Sequence, residues 1–218
     1  MAKNARCVVK SLVKDFAFPV LWELLFIVMC IMRPIKTLYL FFVFYLVLLV
    51  YYHESFSIKE FYGNFKKIKK FWIPVVITFI AMLALYWVKT NVIQRNIIML
   101  DGTFSITWEN SYLGELLYAI TIMFLGPIAG EIYYRKAVMR FDTIASTMIS
   151  FVVGLLLCGF GSAYLPLGVA EAVMLAIPLA LCYFITRNVY VSMAANILFM
   201  MYQHIPNIVY DVARISLR

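Results

Sequence analysis

FWIPVVITFIAMLALYWV, Phe71 to Val88, carries no charged side chain. Its length is close to the ~20 apolar residues that a helix needs to cross the hydrocarbon core of a bilayer. The rest of the chain repeats the pattern. Of its 218 residues, 65% are hydrophobic and 14% charged, and the mean hydropathy is +0.91. A soluble domain holds roughly 45–50% apolar residues, and a soluble fold of this size has no interior large enough for the surplus. In lipid, backbone polar groups are satisfied within helices. The predicted fold class is therefore all-α: a polytopic transmembrane helix bundle, read as a single membrane domain over residues 1–218, without repeat or low-complexity tail.

Seven spans are predicted: Phe16–Met32, Leu38–Tyr52, Phe71–Val88, Leu113–Tyr134, Ile144–Phe160, Ala170–Ile185 and Val189–Met201. Several are short, so the count ranges from six to eight; eight results if Ile205–Ile215 returns to the membrane. The first run contains Pro19 and Glu23 and lacks a small-residue cleavage site, so it is read as a retained span, not a signal peptide.

The net charge of +8 does not point to nucleic acid, because the basic residues lie between the apolar runs. Lys3, Arg6, Lys10 and Lys14 precede the first span. Lys59, Lys66, Lys67, Lys69 and Lys70 lie in the 53–70 loop, and Arg135, Lys136 and Arg140 in the 135–142 turn. The positive-inside rule places these three regions in the cytosol. The uncharged 161–169 loop and the 89–112 loop, with Asp101 and Glu109, then face outward. Arg33, Lys36, Arg214 and Arg218 fit that orientation less well. Phe, Tyr and Lys richness points to a low-GC bacterium, hence to a multi-pass protein of the bacterial cell membrane with a cytoplasmic N-terminus.

Between Phe56 and Trp72, Ile58, Phe61, Phe65, Ile68 and Trp72 recur at three- and four-residue spacing with lysines between them. This predicts an amphipathic helix lying on the anionic inner leaflet. The bilayer is one partner; a membrane protein or peptide is the other. Cys7, Cys30, Cys158 and Cys182 form no CxxC or Cys/His pattern, so neither a zinc site nor a disulfide framework is indicated. No cofactor is expected.

A charge deep in a span costs a few kcal/mol, so it should face the bundle interior or a wet cavity. Glu115 follows Ser111, a candidate N-cap, and an acid there complements the helix dipole. Glu171 reads the same way, as an acid opening a helix after Gly168. Glu23 lies one or two turns inside the first span, where it could pair with a base on a neighbouring helix. Glu131 has Arg135 as its i+4 neighbour on the same helix face. Gly126 and Pro127, one turn earlier, permit a bend and close helix approach. Late in the chain, Asn196 and His204 are eight apart and share a face, near Ser192 and Gln203; a buried asparagine commonly joins helices by hydrogen bonds.

GPIAGEIYYR, Gly126 to Arg135, resembles the first signature of the CPBP or Abi family, polytopic membrane proteins that include type II CAAX prenyl endopeptidases and bacteriocin-processing or bacteriocin-immunity proteins. That signature reads roughly P-x-x-E-E-x-x-x-R with an aromatic before the arginine. Pro127, Glu131, Tyr134 and Arg135 match it, while Gly130 stands where the first glutamate belongs. The second signature, F-x-x-x-H, has no counterpart: SFVVGLLL in Ile144–Phe160 puts Leu155 or Leu157 at the histidine, and no histidine occurs between His53 and His204. The third, H-x-x-x-N or H-x-x-x-D, meets Asn196 and Met200 in the last apolar helix; His204 falls two turns beyond and misses the spacing. The resemblance covers Leu113 to Met201.

In active members the resemblance implies a glutamate that activates water, with histidines and an asparagine that hold the substrate carbonyl. Here Glu131 and Arg135 are the remnant of that catalytic motif, and Gly130, Glu23, Asn196 and His204 are candidate binding residues. An arginine partner makes Glu131 a weaker base. The expectation is a degenerate, non-catalytic member that binds a membrane protein or peptide, as a scaffold or regulator or in bacteriocin self-immunity. The alternative is an active intramembrane endopeptidase using Glu131 with Asn196 or His204 as helper. A small transporter is the third reading, although no repeat with paired broken helices is present.

Overall fold

A computed structural model describes residues 2–96 and 102–217, with side chains from residue 17 onward. The side chains of Lys3, Arg6, Cys7, Lys10 and Lys14, together with Asp101 and Arg218, lie outside that description. The described chain is helical: α1 Ala2–Met32, α2 Thr37–Tyr51, α3 Ile58–Phe65, α4 Ile68–Asn96, α5 Tyr112–Ala137, α6 Ile144–Phe160, α7 Pro166–Thr186 and α8 Val189–Ser216. Among the described residues there is no strand, and Thr103 and Ala163 form an isolated antiparallel bridge.

Local chemistry sets the helix ends. Ser57, Ser111, Thr143 and Asn188 each accept a backbone N–H at the start of α3, α5, α6 and α8, satisfying a donor that the first turn leaves orphaned. Pro166 opens α7, where its missing N–H costs nothing. Arg187 at φ 53° ends α7 and lays its guanidinium over the Phe141 ring, 3.1 Å from the centroid.

The turns gather at two ends of the bundle. At one, Thr37 Oγ1 donates to Ser105 O at 2.8 Å, Phe104 N to Ser162 O at 3.1 Å and Arg214 to Asn110 Oδ1 at 3.4 Å. At the other, Ser57 N donates to Tyr190 Oη at 3.0 Å, Asn188 to Asn64 at 3.3 Å and Lys136 Nζ to Ser55 O at 2.6 Å. The 53–70 and 135–142 segments thus share one end, and the 33–36, 102–111 and 161–165 segments share the other. Large apolar side chains such as Leu21, Leu25, Ile77, Ile80, Ile149 and Ile185 project outward from the rods.

Three helices, α4, α5 and α7, are long and apolar enough to cross a membrane. The pair Thr37–Tyr51 and His53–Phe65, bent by 73°, adds a fourth if it is one span. Ala17–Met32 and α6 are apolar but shorter.

Two expectations are corrected. Ile205–Ile215 does not return as an eighth element; it continues α8 without a break through Pro206. The 56–72 segment is not one helix: Lys66 and Lys67 end α3, and Ile68 opens α4. Phe61 packs edge-on to Phe65 (4.9 Å between centroids), and Phe65 to Trp72 (5.2 Å), while Phe61 also meets Tyr190 of α8 (5.7 Å). This aromatic cluster folds α3 back onto α4 and α8, while Ile58 and Ile68 point away.

Candidate functional site

The helix α5 is irregular where the motif falls. An α-helical turn, Gly126–Glu131, lies between two π-helical segments, Ile120–Leu125 and Ile132–Ala137. Such π turns recur at functional sites in helices. A Cβ on Gly126 would meet the Tyr45 ring at 3.1 Å, so this glycine lets α2 approach closely. On Gly130 a Cβ would have ordinary contact with the Tyr134 ring, at 3.6 Å.

Glu131 is fully buried and Arg135 nearly so, at 0% and 3% exposure. Glu131 Oε2 lies 3.5 Å from Arg135 Nε. Glu131 Oε1 accepts a hydrogen bond from Asn196 Nδ2 of α8 at 3.0 Å. Arg135 also donates to Ala176 O of α7 at 3.4 Å and to Cys158 Sγ of α6 at 3.9 Å. One glutamate–arginine pair therefore ties α5 to α6, α7 and α8. Leaving either partner alone in this dry interior would be strongly unfavourable.

The pair faces a cavity of about 340 Å³, within the range of small-ligand sites. Gly130, Glu131, Arg135 and Asn196 form its polar side, and Met82, Ile122, Leu179 and Phe199 are among its apolar walls. Thr103, Phe104 and Ser162, which line it too, belong to the loops at the Arg214 end of the bundle, and the cavity extends toward that end. His204 also lines it and shares a 2.7 Å hydrogen bond with Tyr118 Oη through Nδ1. Among the described residues, no group of three or more His, Cys, Asp or Glu is placed to hold a metal ion.

Five of the six predicted residues thus meet at one cavity: Gly130, Glu131, Arg135, Asn196 and His204. Glu23 does not line it. It is 2% exposed and takes hydrogen bonds from Tyr133 Oη at 2.9 Å and Tyr134 Oη at 3.1 Å. Its partners are phenols, not the base expected from the sequence. Ser111 caps α5 as expected, and Glu115 accepts from Trp108 Nε1 at 2.6 Å. Glu171 is not a first-turn acid: α7 starts at Pro166, and Glu171 instead pairs with Lys89 Nζ at 3.0 Å.

Sequence reasoning missed Lys89, Cys158 and Gln203, all of which line the cavity. Lys89 has a sequence signal, since it directly follows the apolar run ending at Val88. Cys158 has none beyond a place in an apolar helix.

No protein-family model, curated protein or solved structure matches this chain.

Proposed function

We propose that the protein is a degenerate, non-catalytic member of the CPBP/Abi group that binds a membrane protein or peptide through its central cavity. The observation that carries this reading is the 3.0 Å contact between Glu131 and Asn196. These residues stand in the first and third signature regions, 65 positions apart, and the resemblance requires them to share one pocket. The non-catalytic part rests on occupancy. Both carboxylate oxygens of Glu131 have a protein partner within 3.5 Å, Arg135 or Asn196. Leucine stands at 155 and 157, where the family's histidine would fall.

All seven long rods cross the bacterial cell membrane in this reading, with the N-terminus and the lysine-rich 53–70 end in the cytosol. The cavity then extends toward the outer face. Scaffolding or regulation of an envelope enzyme and self-immunity to a membrane-active bacteriocin are both uses of such a pocket.

A second reading, an endopeptidase working through Glu131, is favoured by the presence of His204 on the same cavity. Profiling of membrane peptide ends separates the two, in a deletion strain, in wild type, and in Glu131→Gln at matched expression. Identical profiles support the binding protein. A cleavage that requires Glu131 overturns it in favour of the protease.

A further inference from the structure

Two buried acceptors on the cavity lack a hydrogen bond. Glu131 Oε2 accepts none from the described residues, its 3.5 Å approach to Arg135 Nε being ionic. Asn196 Oδ1, on a side chain nine-tenths buried, accepts none either. The orientation of Asn196 follows from chemistry. Glu131 as a carboxylate only accepts, so the amide turns Nδ2 toward it and leaves Oδ1 over. Buried polar atoms in folded proteins nearly always have partners, and an orphan calls for water or a ligand. Here both orphans are acceptors, so the missing group is a donor.

We infer that this cavity recognises a neutral amide on an apolar body, whose N–H groups donate to Asn196 Oδ1 and Glu131 Oε2. This rests on the reading of the cavity as a peptide pocket and names what the pocket reads. A cationic head group fits less well. Arg135 already neutralises Glu131, and Lys89 lines the same cavity, so a further positive charge meets repulsion at low dielectric. An amide carries its own acceptor as well, and Arg135, with five N–H donors, has capacity for a carbonyl. The apolar walls take the side chains. Asn196 therefore serves a different end from the carbonyl-holding asparagine of the resemblance, because its Nδ2 is engaged with Glu131.

The test uses the full-length protein in lipid nanodiscs and calorimetric titration, with empty nanodiscs as blank. The probe is N-acetyl-leucine methylamide. Its comparison is the diester in which both N–H groups are replaced by oxygen. The diester should bind at least about tenfold more weakly, the effect of leaving buried acceptors unpaired. Ala172→Phe, which places a ring in the cavity, should abolish amide binding.

Equal affinity for amide and diester overturns the donor requirement and leaves the peptide pocket standing. Amide binding that survives Ala172→Phe places the ligand elsewhere and overturns the inference. No binding of either probe overturns inference and peptide pocket together, and assigns the orphan acceptors to water. Asn196→Leu adds a second readout, because discrimination between the probes should shrink in it. The probe pair on the native chain decides the matter even where that variant fails to fold.

Discussion

Lys89 Nζ lies 3.0 Å from Glu171 Oε2, joining the π turn of α4 to the second turn of α7. Glu171 is 1% exposed and the lysine side chain 17%, so the pair is shielded from water and salt. Lys89→Met should destabilise the protein by about 3–5 kcal/mol, because it strands a buried carboxylate. Lys89→Met with Glu171→Leu should recover most of the loss. Thermal unfolding in one detergent compares the three proteins; a double variant no better than the single would show that the pair is not energetically coupled.

Arg135→Ala removes the cation from Glu131 and also the contacts to Ala176 and Cys158. Its melting temperature and expression should fall well below those of a surface change such as Lys59→Ala. Glu131→Gln should be milder, since a glutamine oxygen still accepts from Asn196. The ranking is read by fluorescence-detected size exclusion after a heating series.

Glu23 organises two phenols. Tyr133→Phe and Tyr134→Phe should each lower stability by about 1 kcal/mol, the net value of one hydrogen bond. Glu23→Leu should lose more than either, because both buried hydroxyls then lack an acceptor. Gly161 belongs to the same cluster: a Cβ there would lie 2.6 Å from Tyr134 Oη and 2.7 Å from Glu23 Oε1. Gly161→Ala should therefore disturb the same contacts, visible as a shifted tyrosine hydroxyl stretch in infrared difference spectra.

Two glycines should respond in opposite ways to one methyl group. On Gly154 a Cβ would come within 2.5 Å of Tyr134 O, so Gly154→Ala must push α6 away from α5 and should cost about 1–3 kcal/mol. Gly130→Ala meets only the Tyr134 ring at 3.6 Å and gains helix propensity, so it should be neutral or mildly stabilising. Unfolding midpoints of the two variants check the contrast.

The seven-span orientation predicts a labelling pattern. In a background without the native cysteines, Lys59→Cys and Asn64→Cys should resist an impermeant maleimide in intact cells, while Ser105→Cys and Asn110→Cys should react. The reverse pattern would place the lysine-rich end outside.

Much of the helical layout is legible in the chain, and residues show why. The α6 bounds, Ile144–Phe160, coincide with the expectation because Thr143 caps the start and glycine follows the end. Glu131 and Arg135 are neighbours by helix spacing alone. Less legible is whatever one helix does to another. Glu23 reads as an acid seeking a base, yet its partners lie 110 and 111 residues away and are tyrosines, which composition does not mark as acceptor-seeking. Glu171 looks like a first-turn acid when the apolar run is counted from Ala170, but Pro166 opens the helix a turn earlier. The break at Lys66 and Lys67 is hidden because apolar spacing continues across it.

The π turns of α5 make its aim a matter of arithmetic. Each holds an extra residue relative to an α turn, so side chains beyond it are set by how many residues precede them as well as by which. Deleting one residue from Ile120–Leu125 would let the helix close regularly and swing everything after it by about 100°. Glu131 would then be carried off the cavity with its chemistry intact and its address lost. A change that alters no charge and little hydrophobicity would disarm the site, and chain length within this one stretch is thus a determinant of where the carboxylate points.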